Sequence, residues 1–305
     1  MSSAAYSQAP GAIGCAARPA PGRELRGRVE SVFARSAHLR AQDTFLTLGG
    51  CGLPKHPFSI LTPQFPTGLR MGQGFALRGP NLWLEWGPVI DLGGLRRFHP
   101  AQKIARLARP ADFARALEAA RETERGLPGQ AGLFALVADG DHISRACGPH
   151  APEELMRERA ERLALRLGRA AAGRDWTGFI LTAGDMAGLG LGLTPSGDDF
   201  LAGMLAALRF YGLSGGEITP QAVLDAVAAN AAGRTSAFSG FLLRGAAKGL
   251  VAEPVCRWLC AVCAGKIRLT ATATRQVLEM GSSSGADTLA GLIAGLTAAT
   301  ESLCA

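Results

Sequence analysis

The sequence predicts an α+β protein, with a β-rich N-terminal domain and a mainly helical C-terminal domain. Before about Pro100, short runs of alternating polar and apolar residues are separated by proline and glycine, a pattern typical of strands and turns. After Pro100, apolar residues recur at helical spacing. The chain has 305 residues, of which 48% are hydrophobic, so it can bury a substantial core. We expect the two domains to span residues 28–100 and 101–305.

The first 27 residues differ from both domains. They are rich in Ala, Pro, Gly and Ser and have no hydrophobic periodicity, so we expect residues 1–27 to be a flexible leader. Polar residues and Pro10 interrupt the apolar run after Ala4, which does not fit a secretory signal. We expect no membrane span. The seven cysteines are an odd and scattered set, which favours reduced thiols and a cytoplasmic location.

Four short runs are the predicted strands of the N-terminal domain. Each has the alternating pattern of a half-buried strand, and dipeptides such as Gly49-Gly50 and Gly79-Pro80 separate them. The runs lie at residues 28–33, 44–48, 58–61 and 75–78.

Two segments beyond the boundary, residues 101–125 and 152–172, have the pattern of amphipathic helices, with Arg and Glu opposite the apolar residues. Between them, residues 133–138 and 142–146 could form a hairpin. From Gly178 onward Ala, Leu and Gly dominate, with Ser or Thr before each apolar run. This composition predicts a compact set of helices.

The net charge of +7 indicates an acidic partner of some kind. Many of the arginines lie between Lys103 and Arg174, on the polar faces of predicted helices. Only 6% of the residues are aromatic, and no basic and aromatic interleaving or reading module is present, so we do not expect nucleic-acid binding. A small anionic substrate and an acidic partner subunit explain the charge equally well.

A doubled motif is the most informative feature of the sequence. Residues 196–208 match residues 284–296 at eight of thirteen positions without a gap, which chance rarely produces. In each copy, Ser followed three positions later by Asp could be an acidic capping box, worth about 1 kcal/mol. Capping does not explain Gly197 and Gly285, since glycine at a helix start is unfavourable unless a ligand or another helix approaches closely.

Each copy also has a smooth face of small residues headed by a carboxylate. Helical spacing aligns Gly203 and Ala206 with Asp199, and Gly291 and Ala294 with Asp287. Two such faces could cross closely. If they cross near their starts, helix dipoles, free amides and carboxylates surround one small site. Pure packing of the two helices is the alternative. The candidate catalytic residues are Asp198, Asp199 and Asp287.

The segment before the first copy contains alternating glycines, Gly188, Gly190 and Gly192, which could turn backbone amides toward an anion. Their spacing fits neither the dinucleotide turn nor the P-loop, so we do not expect ATP or NAD. Arg234 is the best candidate cation for a carboxylate or phosphate. The candidate binding residues are Gly190, Gly192, Thr194, Ser196, Gly197, Arg234, Thr235, Ser236, Ser283, Ser284 and Gly285.

Cofactor chemistry has little support in the sequence. Cys256, Cys260 and Cys263 have the spacing of an iron-sulfur ligand set, but they lie in a helical pattern, which favours buried thiols. The five histidines precede the motif region and lack metal-ligand spacing. We assign no cofactor, although magnesium could bind if Asp198 and Asp199 came within common reach of Asp287.

Residues 190–203 and 281–291 resemble the AllH-type family of oxamate carbamoyltransferase subunits. The resemblance implies a subunit that works with two others in anaerobic allantoin breakdown, in the conversion of oxalurate and phosphate to oxamate and carbamoyl phosphate. It would place a histidine at Ser282 and often a bulkier residue at Ala286, so the chain departs from the family there.

The resemblance and the site hypothesis together imply roles for these residues. Glycine amides would hold the anion, Thr194 and Ser284 would donate hydrogen bonds, and Asp199 or Asp287 would transfer a proton or hold magnesium. Two other functions remain open. The chain could be a non-catalytic assembly subunit of a multi-subunit enzyme, or a magnesium-dependent hydrolase or phosphotransferase.

Overall fold

The computed structural model describes residues 11–20, 22–100, 105–127, 132–133, 152–216 and 218–301. Contacts divide the chain into two compact units, Met1–Pro100 and Ala101–Ala305. The first consists of strands and the second of helices, so the predicted α+β class is confirmed.

The N-terminal unit contains one nine-stranded sheet. Its order is β8-β7-β6-β2-β3-β4-β5-β1-β9. The β4–β5 and β1–β9 pairs are parallel, and the other pairs are antiparallel. The strands are β1 Ala12–Gly14, β2 Glu24–Val32, β3 Ser36–Ala41, β4 Thr44–Gly50, β5 Ser59–Thr62, β6 Gly74–Arg78, β7 Asn81–Leu84, β8 Val89–Asp91 and β9 Arg96–Phe98.

Alternating burial explains why the predicted runs form strands. In β3, Ala37, Leu39 and Ala41 are buried between more exposed neighbours, as the period of two along a strand requires. All four predicted runs are confirmed as strands to within one residue where they overlap β2, β4, β5 and β6, since residues 33 and 58 lie just outside β2 and β5. The core of the sheet contains Leu48, Ile60 and Leu77, which are fully buried.

Part of the predicted leader belongs to the sheet, and this prediction needs correction. Strand β1 lies between β5 and β9, and Ile13 within it is only 1% exposed. Strand β2 begins at Glu24, before the expected domain start. A three-residue strand is too short to show an alternating pattern, so hydrophobic periodicity could not detect it.

The described part of the C-terminal unit contains nine helices: α1 Pro110–Arg125, α2 Pro152–Ala172, α3 Trp176–Met186, α4 Ser196–Leu213, α5 Gln221–Ala232, α6 Ala237–Ala247, α7 Glu253–Cys263, α8 Ile267–Leu278 and α9 Ser284–Glu301. The prediction of α2 is confirmed at both ends. The helix expected from Ala101 instead begins at Pro110, because proline is favoured in the first helical turn. The predicted hairpin falls almost entirely within residues 134–150, outside the described residues.

Helices α4 and α9 cross at their small faces, as the doubled motif predicted. A Cβ atom at Gly203 would overlap the carbonyl oxygen of Thr288, and one at Gly291 would overlap the carbonyl oxygen of Phe200. A Cβ at Gly295 would lie 2.8 Å from the Cβ of Ala207. Glycine therefore allows the two backbones to touch, which brings the beginnings of both helices together.

Helix α7 contains three of the cysteines, as the sequence favoured. Cys256 and Cys263 are buried, Cys260 is partly buried, and all three are free thiols. Burial raises the pKa of the Cys263 thiol to about 11, so it is not a ready nucleophile at neutral pH. No helix in the described residues is both long and apolar enough to cross a membrane.

Replacing either crossing glycine with alanine is expected to destabilise the protein. Gly203→Ala and Gly291→Ala should each lower the free energy of unfolding by about 1–3 kcal/mol, because the added methyl group overlaps a backbone carbonyl. Chemical denaturation of each variant measures the change. Gly168 in α2 has open space around its Cβ position, so Gly168→Ala should be stabilising by about 1 kcal/mol. Equal effects at all three positions would contradict the close crossing.

Candidate functional site at the doubled helix opening

The two copies of the motif share one local structure. Gly197, in the first turn of α4, lies against the end of α3, because a Cβ there would overlap the carbonyl oxygen of Met186. Gly285, in the first turn of α9, lies against the end of α8, because a Cβ there would overlap the carbonyl oxygen of Val277. The Gly197 amide donates to the Leu189 carbonyl at 2.7 Å. In the second copy, the Gly285 amide donates to the Met280 carbonyl at 2.9 Å. The close approach at both glycines is therefore made by the end of the preceding helix.

Side-chain capping does not explain the first serine. Pro195 is the N-cap of α4 and makes no side-chain capping bond, while Ser196 is already helical. The Pro195 carbonyl instead accepts from the amides of Asp198 and Asp199, at 2.9 and 3.1 Å. In the second copy, the Ser283 carbonyl accepts from the Ala286 and Asp287 amides at 3.0 and 3.1 Å. The aspartate side chains are thus available for other contacts.

The two helix openings meet through their hydroxyl groups. The Thr194 Oγ1 and Ser284 Oγ atoms lie 3.3 Å apart, within hydrogen-bond distance. Asp199 lies beside both hydroxyls and is close enough to Asp287 for their charges to interact. The structure therefore brings together two hydroxyls and two carboxyls from opposite copies of the motif.

The surroundings of Asp199 favour its protonated form. Burial raises the pKa of this carboxyl to about 8, the hydroxyls of Ser284 and Thr194 lower it, and the negative charges of Asp287 and Asp198 raise it. Burial is the largest of these effects, since a charged carboxylate loses water solvation without gaining a cation. At neutral pH the Asp199 side chain is therefore mainly a neutral acid.

Asp287 is fully buried at the opening of α9. Gly132 lies directly against it, since a Cβ at Gly132 would be 2.9 Å from Asp287 Oδ1 and also 2.9 Å from the Ala286 Cβ. Gly132 therefore packs against the beginning of α9 at Ala286 and Asp287. Ser282, by contrast, is exposed.

Asp198 connects three segments of the helical unit. It is 2% exposed and accepts hydrogen bonds from the Gly188 amide at 2.9 Å and from the Ser239 hydroxyl at 2.7 Å. The Thr235 hydroxyl also donates to it. These three donors satisfy the carboxyl oxygens of Asp198, as a buried polar group requires. Asp198 thus holds the glycine-rich segment and the beginning of α6 against α4.

The glycine-rich segment contains three glycines with positive φ angles. Gly188, Gly190 and Gly192 have φ angles of 75°, 113° and 100°, in the region where side chains are disfavoured. A Cβ at Gly190 would lie 2.8 Å from the Ser196 nitrogen. Ser236 donates to the Leu193 carbonyl at 3.2 Å and accepts from the Ser239 amide as the N-cap of α6.

Arg234 has a partner that the sequence did not reveal. Its Nη1 atom lies 3.1 Å from Asp185 Oδ1, and both side chains are about half exposed. An ion pair with this exposure is weak and exchanges readily with other partners. Arg234 is thus held beside the glycine-rich segment, because a Cβ at Gly188 would lie 2.9 Å from its carbonyl oxygen.

Sequence reasoning missed two residues of this region, Asp185 and Ser239. Asp185 lies in α3, and its pairing with Arg234 joins positions 49 residues apart, which no local pattern encodes. Ser239 lies three residues after Ser236, and both flank a helix start. That hydroxyl-rich opening was the available signal, although its acceptor could not be read from spacing.

Metal binding has no geometric support among the described residues. No three His, Cys, Asp or Glu side chains in that part of the chain are grouped so that they could hold a metal ion. Asp198 directs both carboxylate oxygens to protein donors. His38 and His56 lie in the N-terminal unit, and burial lowers the pKa of each to about 4. Both side chains are therefore neutral.

Three cavities of the two units lie away from the helix openings. The N-terminal unit has cavities of about 580 and 560 Å³, lined by residues that include Trp86 and Phe65 respectively. The helical unit has one of about 130 Å³ beside Trp176. None of the three is lined by the hydroxyls and carboxyls of the doubled motif. The candidate site is instead a buried cluster with a partly exposed hydroxyl edge.

Comparison with known families supports the resemblance drawn from the motifs. Residues 186–296 match the family model described as oxamate carbamoyltransferase subunit AllH. The matched segment is similar to this family and covers about a third of the chain. It runs from the last residue of α3 into α9 and includes both copies of the motif. No solved structure matches the chain.

Within the segment that matches the family model, Asp199→Asn should stabilise the protein increasingly as pH rises. The folded-state pKa is raised to about 8, whereas the unfolded value is about 3.9. Folding therefore retains a proton between these values, and the stability of the wild type falls as pH rises from about 4 to about 8. The gain from Asp199→Asn should grow by at least about 1 kcal/mol between pH 5 and 8.

Urea unfolding at several pH values measures this change. The matched control is Asp225→Asn, since Asp225 is exposed on α5 and its substitution makes the same chemical change away from the site. Parallel stability profiles for the wild type and Asp199→Asn would show that Asp199 is ionised normally.

Asp198→Asn should have the opposite effect and destabilise the protein. The amide nitrogen would face at least one hydroxyl or amide donor, which leaves a buried bond unmade, so we expect a loss of about 2–4 kcal/mol at pH 7. Urea unfolding measures the loss, again with Asp225→Asn as the control. A loss below about 0.5 kcal/mol would mean that the three hydrogen bonds contribute little.

Proposed function

We propose that the chain is a subunit of an oxamate carbamoyltransferase and that the doubled helix opening binds its small anionic substrate. One observation carries this proposal. Thr194 and Asp199 from one copy of the motif meet Ser284 and Asp287 from the other copy, inside the segment that matches the family model. The family description supports the subunit assignment, and the converging side chains support a site on this chain.

The reaction that the resemblance implies sets clear chemical requirements. An oxygen of hydrogen phosphate attacks the carbamoyl carbon of oxalurate, and a carbon–oxygen bond forms. The bond from that carbon to the internal nitrogen, which is also bonded to the oxalyl group, breaks. One proton passes from phosphate to the departing nitrogen, which gives oxamate and carbamoyl phosphate. The site must therefore hold two anions, donate to a developing oxyanion and transfer one proton.

The described side chains match these requirements in kind. The Thr194 and Ser284 hydroxyls can donate to substrate oxygens, and Asp199 can transfer the proton. Arg234 can exchange its exposed partner Asp185 for a substrate carboxylate, because a half-exposed ion pair costs little to break. Backbone amides of Gly190 and Gly192 are the remaining candidate donors to phosphate.

A catalytic cycle on this chain would involve other subunits and a small anion as partners. The matched family is described as a subunit of an enzyme, which supports the assembly of this chain with other protein chains. The proposed context is allantoin and purine nitrogen breakdown in the cytoplasm, with phosphate, carbamoyl phosphate, oxamate and oxalurate as the small molecules.

A non-catalytic assembly subunit is the second candidate function, and specific contacts favour it. The Gly197 and Gly285 amides donate to backbone carbonyls, and Asp198 accepts three hydrogen bonds from its own fold. These groups have structural roles that need no ligand. On this alternative, partner chains would contain the reacting groups. The alternative of a magnesium-dependent hydrolase or phosphotransferase places Asp198, Asp199 and Asp287 within common reach of one ion, and no such group of three is found among the described residues.

Thermal melting with added anions tests the proposal. Phosphate, oxamate and carbamoyl phosphate should each be tested with the full chain, and at least one should raise the melting temperature by roughly 5 °C at a concentration near 100 times its dissociation constant. Ser284→Ala should abolish most of the increase, because it removes a hydroxyl donor from the meeting point of the two openings.

The matched control is Ser282→Ala, two residues away at an exposed position, which should respond like the wild type. Equal increases in both variants would locate the anion elsewhere. If no anion shifts the wild type, the assembly role replaces the proposed site.

A further inference from the structure

A buried carboxyl oxygen is the least explained atom at the doubled helix opening. Part of the Asp199 side chain reaches the surface, but its Oδ2 atom is shielded from solvent and has no hydrogen-bond partner. Leaving such an atom unsatisfied costs about 1–3 kcal/mol, and more if it is charged. Unsatisfied buried polar atoms of this kind call for a specific explanation, such as a group that binds there.

The acidic residues around Asp199 should repel an anionic ligand. Asp198 and Asp287 lie close enough to Asp199 for their charges to act on it, yet the proposed ligand is an anion. An ionised Asp199 would add to the repulsion of any anion that entered, since like charges at about 4 Å oppose each other by several kcal/mol near a protein surface. A neutral Asp199 would instead offer a hydrogen-bond donor.

We propose that Asp199 binds the substrate anion as a neutral acid, and that its partly exposed carboxyl group donates a hydrogen bond to a carboxylate or carbonyl oxygen. The anion is then bound together with one proton. This inference rests on the proposed anion site and specifies how that site tolerates its own carboxyl groups. A hydrogen bond from a carboxylic acid to a carboxylate is charge-assisted and about twice as strong as a neutral one.

The groups around Asp199 are consistent with this role. Asp198 precedes it on α4, and Asp287 on α9 contributes a second acidic group. Thr194 on the glycine-rich segment and Ser284 on α9 are hydroxyls, which can accept from a neutral acid as well as donate. Arg234 beside α3 is paired with Asp185. Burial then favours the neutral form, with a pKa of about 8.

The proton should make anion affinity depend on pH in one direction. Affinity should stay level while Asp199 keeps its proton and should fall about tenfold per pH unit once the proton is lost, above about pH 8. Asparagine has nearly the same shape and presents an amide donor that does not titrate. In Asp199→Asn the affinity should therefore be independent of pH, within about twofold.

Calorimetric titration of the full chain with oxamate tests the inference. Oxamate keeps its charge across the range, so titrations from about pH 6.5 to 9.5 report the protein alone. Repeating them in two buffers with different ionisation enthalpies counts the protons taken up. We expect uptake that approaches one proton above about pH 8.5 in the wild type and in Asp225→Asn, and none in Asp199→Asn.

Each outcome discriminates between the claims. Oxamate binding without proton uptake, or with the same pH profile in the wild type and Asp199→Asn, would refute the role of Asp199 and leave the anion site in place. If oxamate fails to bind the wild type at every pH, the proposed anion site is wrong and this inference falls with it. If Asp199→Asn does not fold, the inference is judged by proton uptake in the wild type, and the absence of uptake above about pH 8.5 would refute it.

Discussion

The contact between the backbones of α4 and α9 is the constraint on which the candidate site depends. Gly203 and Gly291 allow each helix to rest on a carbonyl of the other, and no larger residue permits this separation. Because the helices cross near their beginnings, the hydroxyls at residues 194 and 284 come within 3.3 Å. The electrostatic environment of Asp199 follows from the same contact, since the second carboxyl is supplied by α9.

Two adjacent aspartates at the start of α4 show how strongly direction along a helix determines chemistry. Successive helical residues point about 100° apart. Asp198 therefore faces the beginning of α6 and accepts three hydrogen bonds, while Asp199 faces α9 and meets another acid. The same side chain becomes a structural anchor in one direction and a neutral acid in the other. The second copy has Ala286 at the position of Asp198 and Asp287 at the position of Asp199, so it has no counterpart of the hydrogen-bonded aspartate but does have the second acid.

The sequence predicted those features that depend on local pattern. Strand runs, the ends of α2 and the small faces of α4 and α9 all follow from spacing along the chain. The reason for Gly197 and Gly285 did not, because it depends on where the preceding helix ends in space. The hydroxyl partners of Asp198 and the carboxylate partner of Arg234 were equally hidden, since they lie 37 to 49 residues away along the chain. Spacing along the sequence therefore identified the candidate residues, whereas their contacts depend on the tertiary structure.

Strand β1 has a practical consequence for anyone who shortens the chain. It fills the place between β5 and β9, and within the part of the chain that the structure describes β9 pairs with β1 and with no other strand. Removing the first 27 residues, which their composition suggests are a flexible leader, would release β9 and expose the edge of β5. An uncovered strand edge pairs readily with other chains. A trimmed expression fragment should therefore aggregate, and a purification tag is better placed before residue 11 than in place of the segment that follows.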